Sequence, residues 1–429
     1  MKIITLPTEA QAGVPFYRQT QIMDYLKSKG HEIVEMPLMD SSMKNKDFRH
    51  QFKDKLRDAD FLYLISPVSP LLQEAVAGLI KNNMNEVMLR ASGCPISTMR
   101  EQGLSIKDLR VVVDFDDEPV ITMPGTTDYF HRGRKDVYLN NPDGSVTPVW
   151  EKGKNYAEDN GGAAKIFNPI ANYMNIKSRI EILKMASVFT SPSELLLRGF
   201  GRFNKAQTLL LVPNALNFDK IPAYRKSTDG KIRILWGMGS SHIMDFAEMA
   251  PAIKELMDAD PRIILVTCGS RFDHPLIPQD RREHHGWVNG VEEYYKNFAF
   301  ITADIGLAYV VNNRFNRCKS PIKVEEYMAA KLPVIMGRTL YGNTIDNSKV
   351  LGVMETPMDL VKIMADYDHN DIEALTEFAY EYVKEEFSLN RIGEYLEVEL
   401  LELTKKPLYP VMEQKMQNLA FKASNGNTV

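Results

Sequence analysis

The segment DIGLAYVVNNRFNRCKSPIKVEEYMAAKLPVI, residues 304–335, contains the pattern that decides the fold of this 429-residue chain. Its first apolar run, 304–310, predicts a strand, the stretch from Pro321 predicts a helix, and 332–337 predicts another strand. A strand, a helix and a second strand in this order form the repeating unit of a parallel α/β sheet. Ligands of such sheets bind in the loops at the carboxyl ends of the strands.

The same alternation extends over the rest of the chain. Further strands are predicted at 2–6, 31–36, 61–67, 109–115, 187–192, 208–214, from 232, at 263–270 and at 350–355. Helices are predicted at 16–30, 44–58, 70–83, 176–186, from Glu194, near 291–298, and at about 370–386 and 389–405. We therefore expect an α/β fold with two doubly wound, Rossmann-like domains that face a central cleft, and C-terminal helices that cross back.

The predicted domain boundaries follow the two runs of alternation. The first domain is expected at 1–214, the second at 215–395, and the end of the last helix with a polar tail at 396–429. Residues 118–165 interrupt the first domain, are rich in Gly, Pro, Asn, Asp and Tyr, and lack periodicity. A loop of this length in a compact domain indicates a functional insertion.

Composition and charge exclude several classes of protein. Hydrophobic residues make up 44% of the chain, which excludes disorder as its main state, and the net charge of −4 argues against nucleic-acid binding through the whole surface. Cys94, Cys268 and Cys318 lie far apart, which predicts a reducing compartment without disulfides or a zinc knuckle. We see no signal peptide and no apolar run of about 20 residues, and we expect a soluble, cytoplasmic protein.

The helix predicted from Pro321 has the features of a phosphate site. Ser320 and Pro321 are expected to be its N-cap and first residue, so that free backbone N–H groups and the positive end of the helix dipole meet a ligand. Lys319 and Lys323 add two positive charges, and Glu326 can accept hydrogen bonds from sugar hydroxyls. A capped surface helix with solvated lysines is an alternative interpretation of the same residues.

The segment resembles the donor-site signature of group 1 glycosyltransferases, the family 4 type with the GT-B fold. The matching residues are Asp304-Ile305-Gly306, Phe315-Asn316, Lys319-Ser320, Lys323, Glu326-Tyr327 and Pro333-Val334. The resemblance implies that residues Lys319, Ser320, Pro321 and Ile322 hold the donor diphosphate and that Glu326 holds the ribose hydroxyls. Many relatives have an acid eight residues before that Glu, in contact with the donor sugar. This chain has Cys318 there, which leaves the identity of the sugar open.

Other segments of the second domain are similar to the same family. IRILWGMGSSHIMDF, 232–246, resembles its first strand and phosphate-side loop, and HGWVNGVEEYY, 285–295, resembles the segment that contacts the nucleotide base. The resulting donor-side candidates are Gly239, Ser240, Ser241, His242, Trp287 and Val288, and the catalytic candidates are Lys319, Asp116 and Arg271. A plain strand–helix turn, a solvated arginine and a core tryptophan are the respective alternatives.

Two parts of the first domain are candidates for the other side of the cleft. AGVPFYRQ, 12–19, resembles a loop after the first strand, where Gly13 approaches the donor and Arg18 meets an anionic group; a role on the helix face is the alternative. Asp114, Asp116 and Asp117 follow a strand, and we expect Asp116 or Asp117 to contact a sugar, a solvated strand end being the alternative. A DxD-type metal site belongs to the other glycosyltransferase fold, which has one domain, so we assign no metal.

Basic residues interleaved with aromatics form two further clusters. One contains Arg132, Arg134 and Lys135, and the other runs from Arg198 to Lys205 and includes Arg202. Such clusters suit a phosphorylated or nucleic-acid acceptor, whereas solvated loops are the plainer interpretation.

Together with these residues, the resemblance implies a glycosyltransferase that uses a nucleoside diphosphate sugar, UDP-linked, as donor and needs no cofactor or metal. The resemblance implies retention of anomeric configuration. The acceptor is expected to be a glycan or, because the insertion looks like those of bacteriophage glycosyltransferases, a hydroxylated base in phage DNA within the host cytoplasm. A nucleotide-sugar epimerase of the same fold and a non-enzymatic sugar-nucleotide binding protein remain alternatives.

Overall fold

The structure, a computed structural model, describes residues 1–6, 13–36, 46–67, 70–122, 132–134, 138–140, 146–148, 168–203, 208–341, 344–369, 371–410 and 413–415. Two six-stranded parallel sheets, each with flanking helices, form this part of the chain. The predicted α/β architecture with two domains is therefore confirmed.

The first domain is built on one of these sheets. Its strands are β1 (Lys2–Thr5), β2 (Glu32–Glu35), β3 (Phe61–Ile65), β4 (Arg110–Asp114), β7 (Val188–Ser191) and β8 (Thr208–Leu211), and a separate antiparallel pair is formed by β5 (Tyr138–Asn140) and β6 (Val146–Pro148). The strand order is β2-β1-β3-β4-β7-β8, so the direction of winding reverses beside β1. Ligand sites of doubly wound sheets lie at such a reversal.

The second domain repeats this arrangement. Its strands are β9 (Ile232–Trp236), β10 (Ile263–Cys268), β11 (Arg282–His285), β12 (Ile305–Ala308), β13 (Val334–Gly337) and β14 (Gly352–Met354), in the order β11-β10-β9-β12-β13-β14. The reversal lies beside β9. The sequence Arg-Glu-His-His of β11 has no apolar run, and for this reason the sequence pattern missed this edge strand.

Helices cover both sheets. They are α1 (Gly13–Pro15), α2 (Gln21–Ser28), α3 (Lys46–Leu56), α4 (Pro70–Ala91), α5 (Ile96–Glu101), α6 (Pro169–Met185), α7 (Glu194–Gly201), α8 (Ile243–Ala259), α9 (Val291–Phe298), α10 (Arg314–Arg317), α11 (Ile322–Ala329), α12 (Asp359–Ala365), α13 (Ile372–Phe387) and α14 (Leu389–Thr404). A π-helical turn, Phe16–Thr20, joins α1 to α2.

The last helix crosses back to the first domain. Ile392, Leu396 and Leu400 of α14 are buried in one apolar cluster with Ile3 and Tyr63 of the first sheet. Burying three large aliphatic side chains contributes roughly 1.5–3 kcal/mol each. The predicted return of the C-terminal helix is therefore confirmed, while the exact domain boundaries stay predictions.

Candidate active site

A cavity of about 740 Å³ lies between the domains. The first domain lines it with Gly13, Val14, Tyr17, Asp116 and Asn214, and the second with residues 237–239, 268–269, 286–291, Tyr294, Ile322, Lys323 and Glu326. The loop after β1 and the loop after β9 follow the strands at which the two sheets reverse direction. The two reversal points therefore face one cleft, which is where ligands of doubly wound domains bind.

The loop after β9 brings backbone close to this cleft. Gly239 lines the cavity, and a Cβ atom placed on it would meet no neighbouring atom within 4 Å. The Ser240–His242 turn follows, and its last N–H donates to the Gly239 carbonyl at 3.0 Å. Ser241 does not line the cavity, and the side chain of Ser240 lies outside the described part of the structure.

His242 and Lys319 meet beside this loop. The Lys319 ammonium lies 3.4 Å from Nε2 of His242, whose Nδ1 lies 2.7 Å from Oδ2 of Asp245. Burial, followed by the positive charge of Lys319, lowers the pKa of His242. A neutral imidazole that donates from Nδ1 to Asp245 and accepts at Nε2 fits this arrangement.

Asp245 holds the segments of this corner together. Its Oδ1 accepts hydrogen bonds from the Val311 N–H at 2.8 Å and from the Asn316 side-chain amide at 3.1 Å. Asp245 and Asn316 are both buried. The Phe315-Asn316 part of the sequence signature is therefore a structural support for the loop that carries Lys319.

Helix α11 presents Lys323 and Glu326 to the cleft. Lys323 donates to Oε2 of Glu326 at 2.7 Å and to the Tyr294 hydroxyl at 3.1 Å. The helix sits so close to the sheet that a Cβ at position 306 would lie 2.5 Å from Cδ2 of Tyr327. Only glycine therefore fits beneath this ring. The Tyr327 hydroxyl in turn accepts from the Gly237 N–H at 2.8 Å, which ties the helix to the loop after β9.

The prediction that Ser320 is the N-cap of this helix is wrong. Helix α11 begins at Ile322, its cap position is Pro321, and no side-chain cap hydrogen bond forms. Pro321 has φ −81° and ψ 20°, outside the extended region that a capping Ser needs, and proline has no side-chain acceptor. Lys319, Ser320 and Pro321 stand before the helix but are not among the cavity-lining residues.

Trp287 and Val288 also line the cleft. Trp287 is 69% exposed and is not a core residue. Its ring lies against Gly269, where a Cβ would come within 3.3 Å of Cε3 and where φ is +89°, a value that favours glycine. An exposed indole beside open backbone offers a stacking surface for a nucleobase.

Asp116 joins the main cavity to a smaller one of about 210 Å³. Asp117, Arg132 and Arg179 also line this smaller cavity. Asp116 is buried, and its Oδ1 has no hydrogen-bond partner within the described structure. Burial, followed by the charge of Asp117, raises the pKa of Asp116 to about 7, against the opposing effect of Arg18.

The expectation that Arg18 contacts an acceptor is wrong. The side chain is completely buried, and its guanidinium engages Asp114 through two hydrogen bonds, one of them at 3.1 Å, and the Val212 carbonyl. Thr190 also donates to Asp114 at 2.5 Å. Arg18 and Asp114 therefore form an internal ion pair that anchors the π-helical turn to the sheet.

The other basic candidates lie apart from the main cavity. Arg271 is exposed, pairs with Asp273 at 2.9 Å and is not among the cavity-lining residues, and its catalytic role stays a prediction. Arg202 packs over the Phe203 ring at 5.2 Å and lines neither cavity. Arg134 is exposed, whereas Lys135 lies outside the described residues.

Cys318 occupies the position of the missing acid. It is buried and packs into the apolar cluster of the first domain, although it belongs to the second half of the chain. Burial, followed by the charge of Glu118, raises the pKa of its thiol to about 11. A neutral, buried thiol cannot replace a sugar-binding carboxylate.

The sequence interpretation missed several residues of the cleft. Tyr17, Asn214, Cys268 and Tyr294 line it, and Asp245 supports it from behind. Their roles depend on contacts between segments that are far apart in the chain. Tyr17, Asp245 and Tyr294 lie in the segments 12–19, 232–246 and 285–295 that the sequence singled out, but their side chains were not among the candidates.

Neither a metal-binding cluster nor a membrane-spanning helix occurs among the described residues. No group of three or more His, Cys, Asp or Glu side chains within the described ranges could hold a metal ion. Among the helices that the structure describes, none is long and apolar enough to cross a membrane. The absence of metal from the reaction and the cytoplasmic location both stay predictions.

Comparison with solved structures identifies the fold. A glycosyltransferase from Rickettsia africae ESF-5 has a TM-score of 0.55 at 13% identity, with 95% of this chain and 99% of that chain covered. Sucrose-phosphate synthase from Thermosynechococcus elongatus has a TM-score of 0.53 at 13% identity, with 94% of this chain and 99% of that chain covered. Anabaena HepE in complex with UDP-glucose has a TM-score of 0.50 at 11% identity, with 94% of this chain and 100% of that chain covered. These similarities confirm the predicted GT-B fold.

At these identities the similarity concerns the fold alone. No protein-family model matches the sequence, and no curated protein matches it. The chemistry of this chain must therefore be argued from its own side chains.

Proposed function

We propose that this protein is a glycosyltransferase that moves a sugar from a nucleoside diphosphate sugar, UDP-linked, to a hydroxyl group of an acceptor, without a metal ion. The observation that carries the proposal is the single cleft that joins Lys323, Glu326 and a glycine loop to Asp116 of the other domain. The residues proposed to bind the nucleotide and the acid proposed to contact the acceptor thus line the same cleft.

The donor would lie along the second domain. Trp287 offers a face for the base, and the carboxylate of Glu326 can accept hydrogen bonds from the ribose hydroxyls. The diphosphate would then reach the N-terminus of α11 and the Gly237–Gly239 loop, where backbone N–H groups favour an anion. Lys319 and Lys323 lie on either side of that terminus.

Charge neutralisation by the protein would replace a metal. As the glycosidic bond breaks, negative charge grows on the diphosphate, and fixed positive groups stabilise that change. The Lys319 ammonium now faces the neutral His242 imidazole at 3.4 Å. A phosphate oxygen is a stronger acceptor for an ammonium group than an imidazole, so Lys319 is expected to turn to the diphosphate.

The acceptor would occupy the smaller cavity. Asp116 and Asp117 line it, and carboxylates are good acceptors for sugar hydroxyls. We favour a glycan over a phage DNA base, because Arg202 of the second basic cluster lines neither cavity and Arg132 of the first shares the smaller one with Asp116 and Asp117. We also propose that the protein is of the family 4 type and that the transfer retains the anomeric configuration of the sugar. Asp116 would orient the attacking hydroxyl group of the acceptor.

Turnover of a panel of nucleotide sugars tests the proposal. Sugar should transfer from a UDP-sugar to a glycan acceptor at an equal rate in excess EDTA and in Mn²⁺. An epimerase would convert the donor without any acceptor, and a binding protein would bind it without turnover. Loss of activity in EDTA that Mn²⁺ restores would contradict metal independence, and transfer to DNA with hydroxylated bases would contradict the glycan assignment. NMR of the product's anomeric proton reports retention or inversion.

Replacing Glu326 by glutamine should weaken binding of UDP and of the UDP-sugar equally. The ribose does not change during the reaction, so its contacts stabilise ground state and transition state alike. Loss of hydrogen bonds to a charged group costs about 1.5–3 kcal/mol, or roughly 10–100-fold in Kd. Titration calorimetry measures this effect.

Glu377 provides a matched control for this variant. Its exposed side chain pairs with Lys331 at 2.7 Å in the same domain, so Glu377→Gln should leave the Kd unchanged. Unchanged UDP binding in Glu326→Gln would place the ribose elsewhere.

A further inference from the structure

The carboxylate of Glu326 is already occupied by a group from the other domain. The Tyr17 hydroxyl donates to Oε1 of Glu326, while Lys323 holds Oε2 at 2.7 Å. Tyr17 and Glu326 are 309 residues apart in the chain. The contact therefore crosses the cleft and joins the turn after β1 to helix α11.

Glu326 is also closed off from solvent. Although it lines the cavity, only 1% of the residue is exposed, and only 7% of Tyr17 is exposed. Tyr17 and Lys323 hold the two carboxylate oxygens, so ribose hydroxyls cannot bind Glu326 until one of these groups moves. Tyr17 is the one that comes from the other domain.

Tyr17 is held in place by its neighbours. It lies in the π-helical turn Phe16–Thr20, and the next residue, Arg18, is fixed by the buried ion pair with Asp114. Its ring packs edge-on against Phe16 and Tyr295, and it belongs to the apolar core of the second domain. One-turn π-helices often occur at functional positions in proteins.

The Tyr17 hydroxyl remains a donor at physiological pH. Burial, followed by the charge of Glu326, raises the pKa of Tyr17 well above its ordinary value. The Tyr295 hydroxyl lies 2.8 Å from it and donates into the same network. Within this network a phenol hydrogen bonded to a carboxylate is a strong, charge-assisted contact.

We propose that Tyr17 is an internal competitor of the nucleotide, whose hydroxyl occupies Glu326 and must leave before a ribose binds there. The inference rests on the proposed function, because it takes Glu326 as the ribose site. Nucleotide binding is then coupled to release of the turn after β1 from helix α11. The apparent affinity is reduced by the fraction of molecules in which the contact is formed.

Tyr17→Phe tests the competition. The variant keeps the ring and its packing but removes the hydroxyl, so no hydrogen bond between Tyr17 and Glu326 has to be broken when a ribose binds. We expect UDP to bind about tenfold more tightly, the size expected when a competing hydrogen bond to a charged group is lost. Isothermal titration calorimetry with UDP measures it, and thermal melting by circular dichroism verifies that the variant is folded.

Tyr309→Phe is the matched control. It removes a hydroxyl that donates to another carboxylate of the second domain, Glu248 at 2.5 Å, and neither residue lines the cavity, so the Kd for UDP should change less than about threefold. Equal or weaker UDP binding in Tyr17→Phe, with normal binding by the wild type, would overturn the competition but leave the proposed function intact. Failure of the wild type and of both variants to bind UDP would overturn the proposed function itself, and the competition with it.

Discussion

Replacing Lys319 by alanine should lower kcat by about 10²–10³-fold while changing the Kd for the donor much less. Lys319 is assigned to charge that grows on the diphosphate as the glycosidic bond breaks. An interaction that strengthens only in the transition state affects kcat more than ground-state binding. The loss corresponds to about 3–4 kcal/mol of transition-state stabilisation.

Steady-state kinetics together with calorimetry separate the two effects. Lys296→Ala is a suitable control, since this exposed lysine pairs with Glu293 at 2.5 Å and neither residue lines the cavity. It should leave kcat unchanged. An unaltered kcat in Lys319→Ala would show that the side chain stays on His242 during the reaction and that the diphosphate lies elsewhere.

Replacing Asp116 by asparagine should lower kcat on the order of 10²-fold, because the carboxylate that orients the acceptor hydroxyl is lost. Asp116 must be ionised to accept that hydrogen bond fully. Since burial raises its pKa to about 7, the ionised fraction increases as the pH rises through 7. The wild-type kcat/KM should therefore rise over this interval and level off above it.

The pH profile distinguishes this role from a structural one. In Asp116→Asn the rise near pH 7 should disappear, because the titrating group has been removed. Asp54→Asn is the control, since Asp54 is exposed and pairs with Arg57 at 2.9 Å. A rise near pH 7 that persists in Asp116→Asn would assign it to another group.

The architecture followed from local patterns in the sequence. Both faces of a parallel sheet are buried, so its strands are near-continuous apolar runs in the sequence. Ile263–Cys268 and Val334–Gly337 are two such strands. Helix boundaries were predicted less well. Helix α4 continues to Ala91, past the predicted end at 83, because no breaker stops it there.

The donor side of the candidate site was also visible in the sequence. Gly239, Trp287, Val288, Lys323 and Glu326 all line the cleft. They are found in short segments that follow strands, and chain order places such segments at one edge of a parallel sheet. Residues of this kind can be located without knowing what they touch.

The sequence by itself determined the two sheets, their carboxyl-end loops and several of the residues that line the cleft. Only the tertiary structure decided which charged groups are available: Arg18 is bound to Asp114, the His242 imidazole is held by Asp245, and Tyr17 covers Glu326. The physical reason is that periodicity and turn chemistry act over a few neighbouring residues. Burial, hydrogen-bond partners and pKa depend on groups that folding brings together from distant parts of the chain.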